Sequence, residues 1–352
     1  MARRSHRPRG RRRTINWIYI IPVLLIVAVA IAFHYGPFGK DKSTDETADV
    51  IPEANVPEVN EIKPEVVKEP GPGPEPNLPV VAPEPNLPDI ALVPDVEPNP
   101  EAAALIVEAT ALLSEKPSRI IDAREKLNET LRIPMNIQQR TFVKDQLSEL
   151  AKEWLLSKII IPDDKLCGSY KVKSGDELRI IAKRYKVPWE ILMEINKISR
   201  PQDLQAGETI KVINGPFHAK VYRSTFTMDL YHQETFVRSF RVGLGEPETE
   251  TPTGLWRVRS DGKAERPMWT DRTTGKTYHP EDPDYPLGSR WIGLEGIKGN
   301  AKGREGFGIH GTKDPEQIGT TGSRGCIRML NGEVILIYNL LVPNLSTVEV
   351  VE

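Results

Sequence analysis

Gly308-Ile309-His310-Gly311-Thr312, followed by Ser323-Arg324-Gly325-Cys326-Ile327-Arg328-Met329, is the stretch that decides how this chain is read. His310 and Cys326 stand sixteen residues apart, too far for one turn and easy for two neighbouring strands. A thiol attacks as thiolate, and a histidine brought against it can take the proton and return it to a leaving amine. Glycines crowd the stretch, and Gly325, directly before Cys326, would let backbone N–H groups point at a developing oxyanion. Arg324 and Arg328 flank the thiol, and positive charge favours thiolate. The bland alternative is a buried cysteine beside a structural histidine. With two cysteines in the chain and no close second histidine, a four-ligand metal set is not evident, and no metal or cofactor is expected.

Working outward, strand-like alternation surrounds this stretch. Ala219–Tyr222, Thr225–Tyr231 and Thr235–Val242 alternate, Leu255–Val258 and Arg290–Leu294 follow, and Ser346–Val350 closes the chain. One helix is expected near the end, capped by Asn331 and carrying Val334, Ile335, Ile337, Tyr338 and Leu341. Residues 217–352 therefore form a mostly-β domain.

Residues 169–213 read as a small α+β unit in the order strand, helix, helix, strand. Asp176 is the expected N-cap of its first helix, and Pro188 suits the first turn of the second. Residues 101–160 show helical periodicity: helices over 101–115, from Pro117 to near Pro134, and from Ile137 to about Leu156. They read as a small bundle or a tetratricopeptide-like hairpin with an extra helix, serving protein docking or, more simply, spacing.

The 352-residue chain has a net charge of −2 that hides an asymmetry. Residues 1–14 carry a run of arginines and no acid, and they abut an apolar run over 15–35. That is the flank of a membrane span rather than a nucleic-acid arm, and no nucleic-acid partner is expected. About 20 apolar residues cross a bilayer core. Arginines before the span place the N-terminus in the cytoplasm and the remainder outside, as a single-pass inner-membrane protein. A cleaved signal peptide ending near Ala28-Val29-Ala30 is the alternative. Residues 36–100 are rich in proline and glutamate and form a disordered linker, a tether or a plain spacer. Cys167 reads as a lone thiol without a chemical role.

Two stretches resemble known families. Tyr170-x-Val172-x-x-Gly175-Asp176-x-Leu178, Ile181-Ala182, Asn196 and Leu204-x-x-Gly207-x-x-Ile210 resemble the LysM family. The resemblance implies binding to N-acetylglucosamine-containing glycans such as peptidoglycan, with the Gly175-Asp176 loop and the segment after Asn196 along the groove and Asn196 a candidate contact. The simpler reading makes these three residues turn and cap formers. His310-Gly311-Thr312 with Ser323-x-Gly325-Cys326-Ile327-Arg328-Met329 resembles the L,D-transpeptidase catalytic domain of YkuD type. Gly243-x-Gly245, Thr251-Pro252-Thr253-Gly254 and Leu287-Gly288-x-Arg290-Trp291 match as well. The position between Ser323 and Gly325, often His in that family, is Arg324 here.

That second resemblance implies a β-sandwich with the site at one end. It implies that Cys326 attacks the bond between an L-diamino acid and the terminal D-alanine of a peptidoglycan tetrapeptide stem. His310, oriented by the Gly311 carbonyl, would protonate the leaving group. The thioester would then pass to an acceptor amine in a 3-3 cross-link. Ser323 and Arg328 would serve as substrate or framework residues, with an ion-pair role open for Arg328. Inhibitors of carbapenem type would acylate Cys326. Hydrolysis by the same site, and a non-catalytic wall-binding scaffold, are the alternatives.

Overall fold

The computed structural model describes residues 97–271 and 274–352. The basic tail, the apolar run 15–35 and nearly all of the expected linker lie outside the described residues. Among the described residues, no helix is long and apolar enough to cross a membrane.

Asn99 starts the first helix. Its side chain accepts from the backbone N–H groups of Glu101 and Ala102 and caps α1 (Pro100–Ser114), with proline in the first turn. The buried side of α1 is Ala102 and Ala109, while Ala104 is exposed. Helix α2 (Ile120–Thr130) is shorter than its sequence suggested. Asn136 caps α3 (Ile137–Trp154) through Gln139 N.

Strand β1 (Cys167–Lys171), helices α4 (Leu178–Arg184) and α5 (Trp189–Asn196), and strand β2 (Thr209–Ile213) form the next unit, with β1 and β2 antiparallel. Two local expectations are corrected here. Glu177 occupies the N-cap of α4, and Asp176 instead accepts from Lys173 N and Tyr170 Oη, closing the turn before the helix. Pro188 is the N-cap of α5, one position earlier than expected.

The remaining strands are β3 (Phe217–Tyr222), β4 (Thr227–His232), β5 (Thr235–Arg241), β6 (Leu244–Gly245), β7 (Gly254–Glu265), β8 (Trp269–Thr270), β9 (Thr277–Tyr278), β10 (Arg290–Lys298), β11 (Phe307–His310), β12 (Thr321–Ser323) and β13 (Ile327–Arg328). Helix α6 (Asn331–Leu340) and strand β14 (Thr347–Val351) complete the chain. Eight strands make one mixed sheet in the order β13-β11-β10-β7-β14-β3-β4-β5. Its β14–β3 and β11–β13 pairs are parallel. The expected sandwich of two sheets is thereby corrected to one sheet with small two-stranded additions. Irregular register along β7–β10 and β4–β5 bends it, so the sheet curls on itself instead of splitting.

The helical segment packs into the body of the fold. Helix α3 packs on β5, Lys144 pairs with the fully buried Asp229 at 2.5 Å, and Asn128 Oδ1 accepts from Phe236 N at 2.8 Å. The His232 ring stacks against Trp154 on one side and Phe217 on the other. Buried Lys211 of β2 donates to Trp154 O, so helices, small module and sheet share one apolar core. The neighbouring strands β3 and β4 are therefore almost wholly buried, as strands covered on both faces are.

Candidate active site

The parallel pair β11–β13 at the sheet edge builds the site. Ile309 registers with Ile327 and His310 with Arg328. Cys326 therefore stands across from Gly308, two residues along from His310. Strands about 4.8 Å apart, with a rise of about 3.3 Å per residue, put those two α-carbons about 8 Å apart on the diagonal, within reach of an imidazole. Residues two apart along a strand share a face, so the thiol side of β13 and the imidazole side of β11 coincide.

His310 is held from two directions. Its Nδ1 lies 2.6 Å from Gly311 O. That carbonyl can only accept, so Nδ1 carries the proton and Nε2 is left as the basic nitrogen. The Trp291 indole stacks on the ring at 5.7 Å. The same indole runs along the strand over Gly308, where a methyl group would come within 2.7 Å of Trp291 Cη2. Gly308 thus has to be glycine for Trp291 to lie flat beside the reaction face. In the sequence Trp291 stands out only as part of a motif, since which groups share a face depends on strand register.

The imidazole is buried, and desolvation pushes its pKa down to about 4, with Arg328 adding to the effect and the Gly311 bond opposing it. Burial likewise pushes the Cys326 thiol up to about 11, against a Gly308 backbone hydrogen bond and the charge of Arg328. Cys326 is nonetheless partly open to solvent. Arg328 favours the thiolate as expected, but desolvation outweighs it, so at neutral pH the site rests as neutral imidazole and neutral thiol. Among the described residues, His310 Nε2 has no hydrogen-bond partner, and Sγ makes a long contact of 4.0 Å to Gly306 O.

The turn before Cys326 is stitched by one hydroxyl. Ser323 Oγ donates to Cys326 O at 2.6 Å and accepts from Gly325 N at 3.1 Å. Gly325 sits at φ +103, a conformation that favours glycine, and a methyl there would meet the Phe307 ring at 2.5 Å. The Gly325 N–H itself is taken up by Ser323, while its positive φ shapes the turn that carries the Cys326 N–H. Arg324, expected against the thiol, turns away and pairs with Asp271. Arg328 is half-buried with no carboxylate within ion-pair distance among the described residues; Asp314 and Glu246 act on it from further off, and its charge lowers both Cys326 and His310. The expectation of an ion-pair role for Arg328 is set aside on that ground.

Behind the turn lies a cavity of about 490 Å³, lined by Arg223, Thr249, Asn300, Arg304, Phe307 and Arg324 among others. Among the described residues, no group of His, Cys, Asp or Glu side chains could hold a metal ion.

In the small module the three glycan-site residues separate. Gly175, at φ +84, faces open space and Asp176 braces the turn beside it. Asn196 does not belong with them: it is 3 % exposed. Its amide donates to Leu192 O and Lys211 O and accepts from Lys211 N, pinning α5 to β2. Its assignment to a surface groove is corrected, because the amide is spent on bonds inside the core.

Comparison with known proteins places this arrangement. Residues 216–350 match the model of the L,D-transpeptidase catalytic domain, YkuD, and residues 170–212 match the LysM domain. The YkuD protein of Bacillus subtilis (strain 168) is 30% identical over 183 residues, covering 50% of this chain and 94% of that protein. The chain belongs to the YkuD family of L,D-transpeptidases.

This L,D-transpeptidase is also 38% identical over 104 residues to the YqjB protein of the same organism, across 29% of this chain and 53% of that one. Among solved structures, L,D-transpeptidase 3 from Mycobacterium tuberculosis in complex with a faropenem-derived adduct aligns over 41% of this chain and 67% of that chain. The sequence identity there is 14% and the TM-score 0.31.

Proposed function

We propose that this L,D-transpeptidase works by a cysteine acyl-enzyme route on peptidoglycan stem peptides. His310 Nε2 takes the Cys326 proton as sulfur attacks the carbonyl between an L-diamino acid and a terminal D-alanine. The C–S bond forms, the C–N bond breaks, and the proton passes to the departing D-alanine amine. The acyl group waits as a thioester. An acceptor amine then enters, gives a proton to His310, and forms the new amide as the thiol is released, a 3-3 cross-link. With the Gly325 amide occupied, the Cys326 N–H is the amide of this turn assigned to the oxyanion. The observation that carries the reading is the 2.6 Å contact of His310 Nδ1 with Gly311 O, which leaves Nε2 basic on the thiol's face.

The LysM module would hold the glycan strand, through the exposed Gly175-Asp176 turn. The apolar run 15–35 would anchor the chain in the inner membrane with its N-terminus in the cytoplasm, and the linker would let the enzyme reach the wall. Carbapenem-type inhibitors would acylate Cys326. Hydrolysis is the second reading, because water can enter a half-open thiol site and replace the amine.

The test is incubation of the full-length chain with a tetrapeptide stem and an acceptor stem, read by mass. A cross-linked dimer with loss of D-alanine supports transfer, a tripeptide alone supports hydrolysis, and no thioester mass on Cys326 with either substrate overturns both.

A further inference from the structure

The sequence marks Asn331 only as a helix cap, yet Leu330 takes the N-cap position and Asn331 opens α6 from inside. Its side chain does something else. Asn331 Oδ1 accepts from Ser289 N at 2.9 Å, and Nδ2 donates to Thr312 O at 2.8 Å. Ser289 Oγ returns a bond to Asn331 O at 3.0 Å. The amide is wedged between two glycines: a methyl on Gly288 would lie 2.2 Å from Asn331 Oδ1, and one on Gly311 2.1 Å from it. Gly288 holds φ +62 in this close approach.

These contacts converge on the histidine. Gly311 O, the acceptor for His310 Nδ1, belongs to the peptide unit joining Gly311 to Thr312, and Thr312 O is the next carbonyl along. Upstream, Gly311 N donates to Arg290 O, and His310 O accepts from Met329 N. The chain leaving His310 is therefore clamped on both sides, and Asn331 supplies the downstream clamp.

We infer that Asn331 is a positioning residue for the acyl transfer: by tying Thr312 O to the Ser289 turn it aims the Gly311 carbonyl at His310 Nδ1 and so selects the tautomer with Nε2 basic. It touches neither thiol nor imidazole. This role rests on the proposed action of His310 as the base. A bond partner behind a functional histidine fixes its tautomer and orientation, and losing it typically costs about 10–100-fold in activity.

Two substitutions isolate the effect. Asn331→Asp keeps an acceptor for Ser289 N and sets a carboxylate oxygen against Thr312 O. Asn331→Ala removes both side-chain bonds and adds no atom against the Gly311–Thr312 peptide. In the full-length chain each should lower kcat about 10–100-fold with KM little changed, because an orienting bond acts on the step and not on binding. With ¹⁵N-labelled histidine, the wild-type His310 signals should report a single Nδ1–H tautomer, and the variants a mixture with the acid limb of activity displaced.

An unchanged tautomer and unchanged kcat in either variant that keeps the wild-type near-ultraviolet dichroism would overturn the inference. So would a wild-type His310 protonated on Nε2. That last measurement needs no variant to fold. A wild-type chain inactive on stem peptides would defeat the proposed reaction and leave the histidine signals to decide the role of Asn331.

Discussion

The two cysteines make an instructive pair. Cys167 opens β1, buried in the core, with burial pushing its thiol up to about 12 while Lys211 and Arg124 oppose. Cys326 closes the glycine turn before β13, partly open, with its thiol pushed up to about 11. Neither rests as thiolate, so acidity does not separate them. What separates them is access and a base. Cys326 reaches solvent and shares its face with a neutral imidazole whose Nε2 is unspent among the described residues, while Cys167 looks into packed side chains. A cysteine becomes a nucleophile here by its neighbours at the moment of attack and not by its resting charge.

The largest effect expected from this contrast comes from substituting the two thiols. Cys326→Ala should abolish acyl transfer and any acyl adduct seen by intact mass, while Cys167→Ala should leave turnover intact and lower only thermal stability. An adduct on Cys167 in the folded chain would erase the distinction between them. Next comes the base: His310→Ala should cost about 10²–10⁴-fold in kcat/KM.

The pH profile probes the same point. With imidazole at about 4 and thiol at about 11, activity should fall on the acid side as His310 protonates near pH 4, and it should hold across neutrality. Arg328→Leu removes a charge that lowers both groups, so both limbs should move to higher pH. Burial also makes acid a stability variable. His218 and His310 at about 4 and His232 at about 3 lie below their ordinary 6.5. Between pH 6.5 and about 4 the unfolded chain binds protons that the folded chain refuses, so stability falls as pH falls, by about 1.4 kcal/mol per pH unit for each group. A melting temperature flat over that window would contradict the burial of all three.

Smaller effects test the turn. Ser323→Ala leaves Cys326 O and Gly325 N without their partner, a loss of about 1–3 kcal/mol, with slower acylation measured by stopped-flow. Arg324→Ala should do least. Its ion pair with Asp271 is more than half exposed on the arginine side, where such pairs contribute about 0–1 kcal/mol, and acylation by a stem should be nearly unchanged.

Much of the fold and of the site is legible in the amino-acid order. The spacing of His310 and Cys326 calls for adjacent strands, and β11 and β13 are adjacent. The order strand, helix, helix, strand over 169–213 follows from local periodicity, and its two strands pair. What stays hidden depends on partners distant in the chain. Asn196 looks like a cap or groove residue until Lys211, fifteen residues on, bonds it through both its N–H and its carbonyl. Asn331 looks like a cap until Ser289 and Thr312 close on its amide. Arg324 looks like a charge for the thiol until Asp271 captures it.

Which residues carry reactive chemistry, and where most strands and helices run, is written locally, because apolar period, glycine and proline act over a few neighbours. The protonation states, the single curled sheet and the loyalties of each polar side chain are set by the folded arrangement alone. Desolvation and hydrogen-bond partners come from segments tens of residues away, and no local pattern encodes which of several donors an amide or carboxylate will meet.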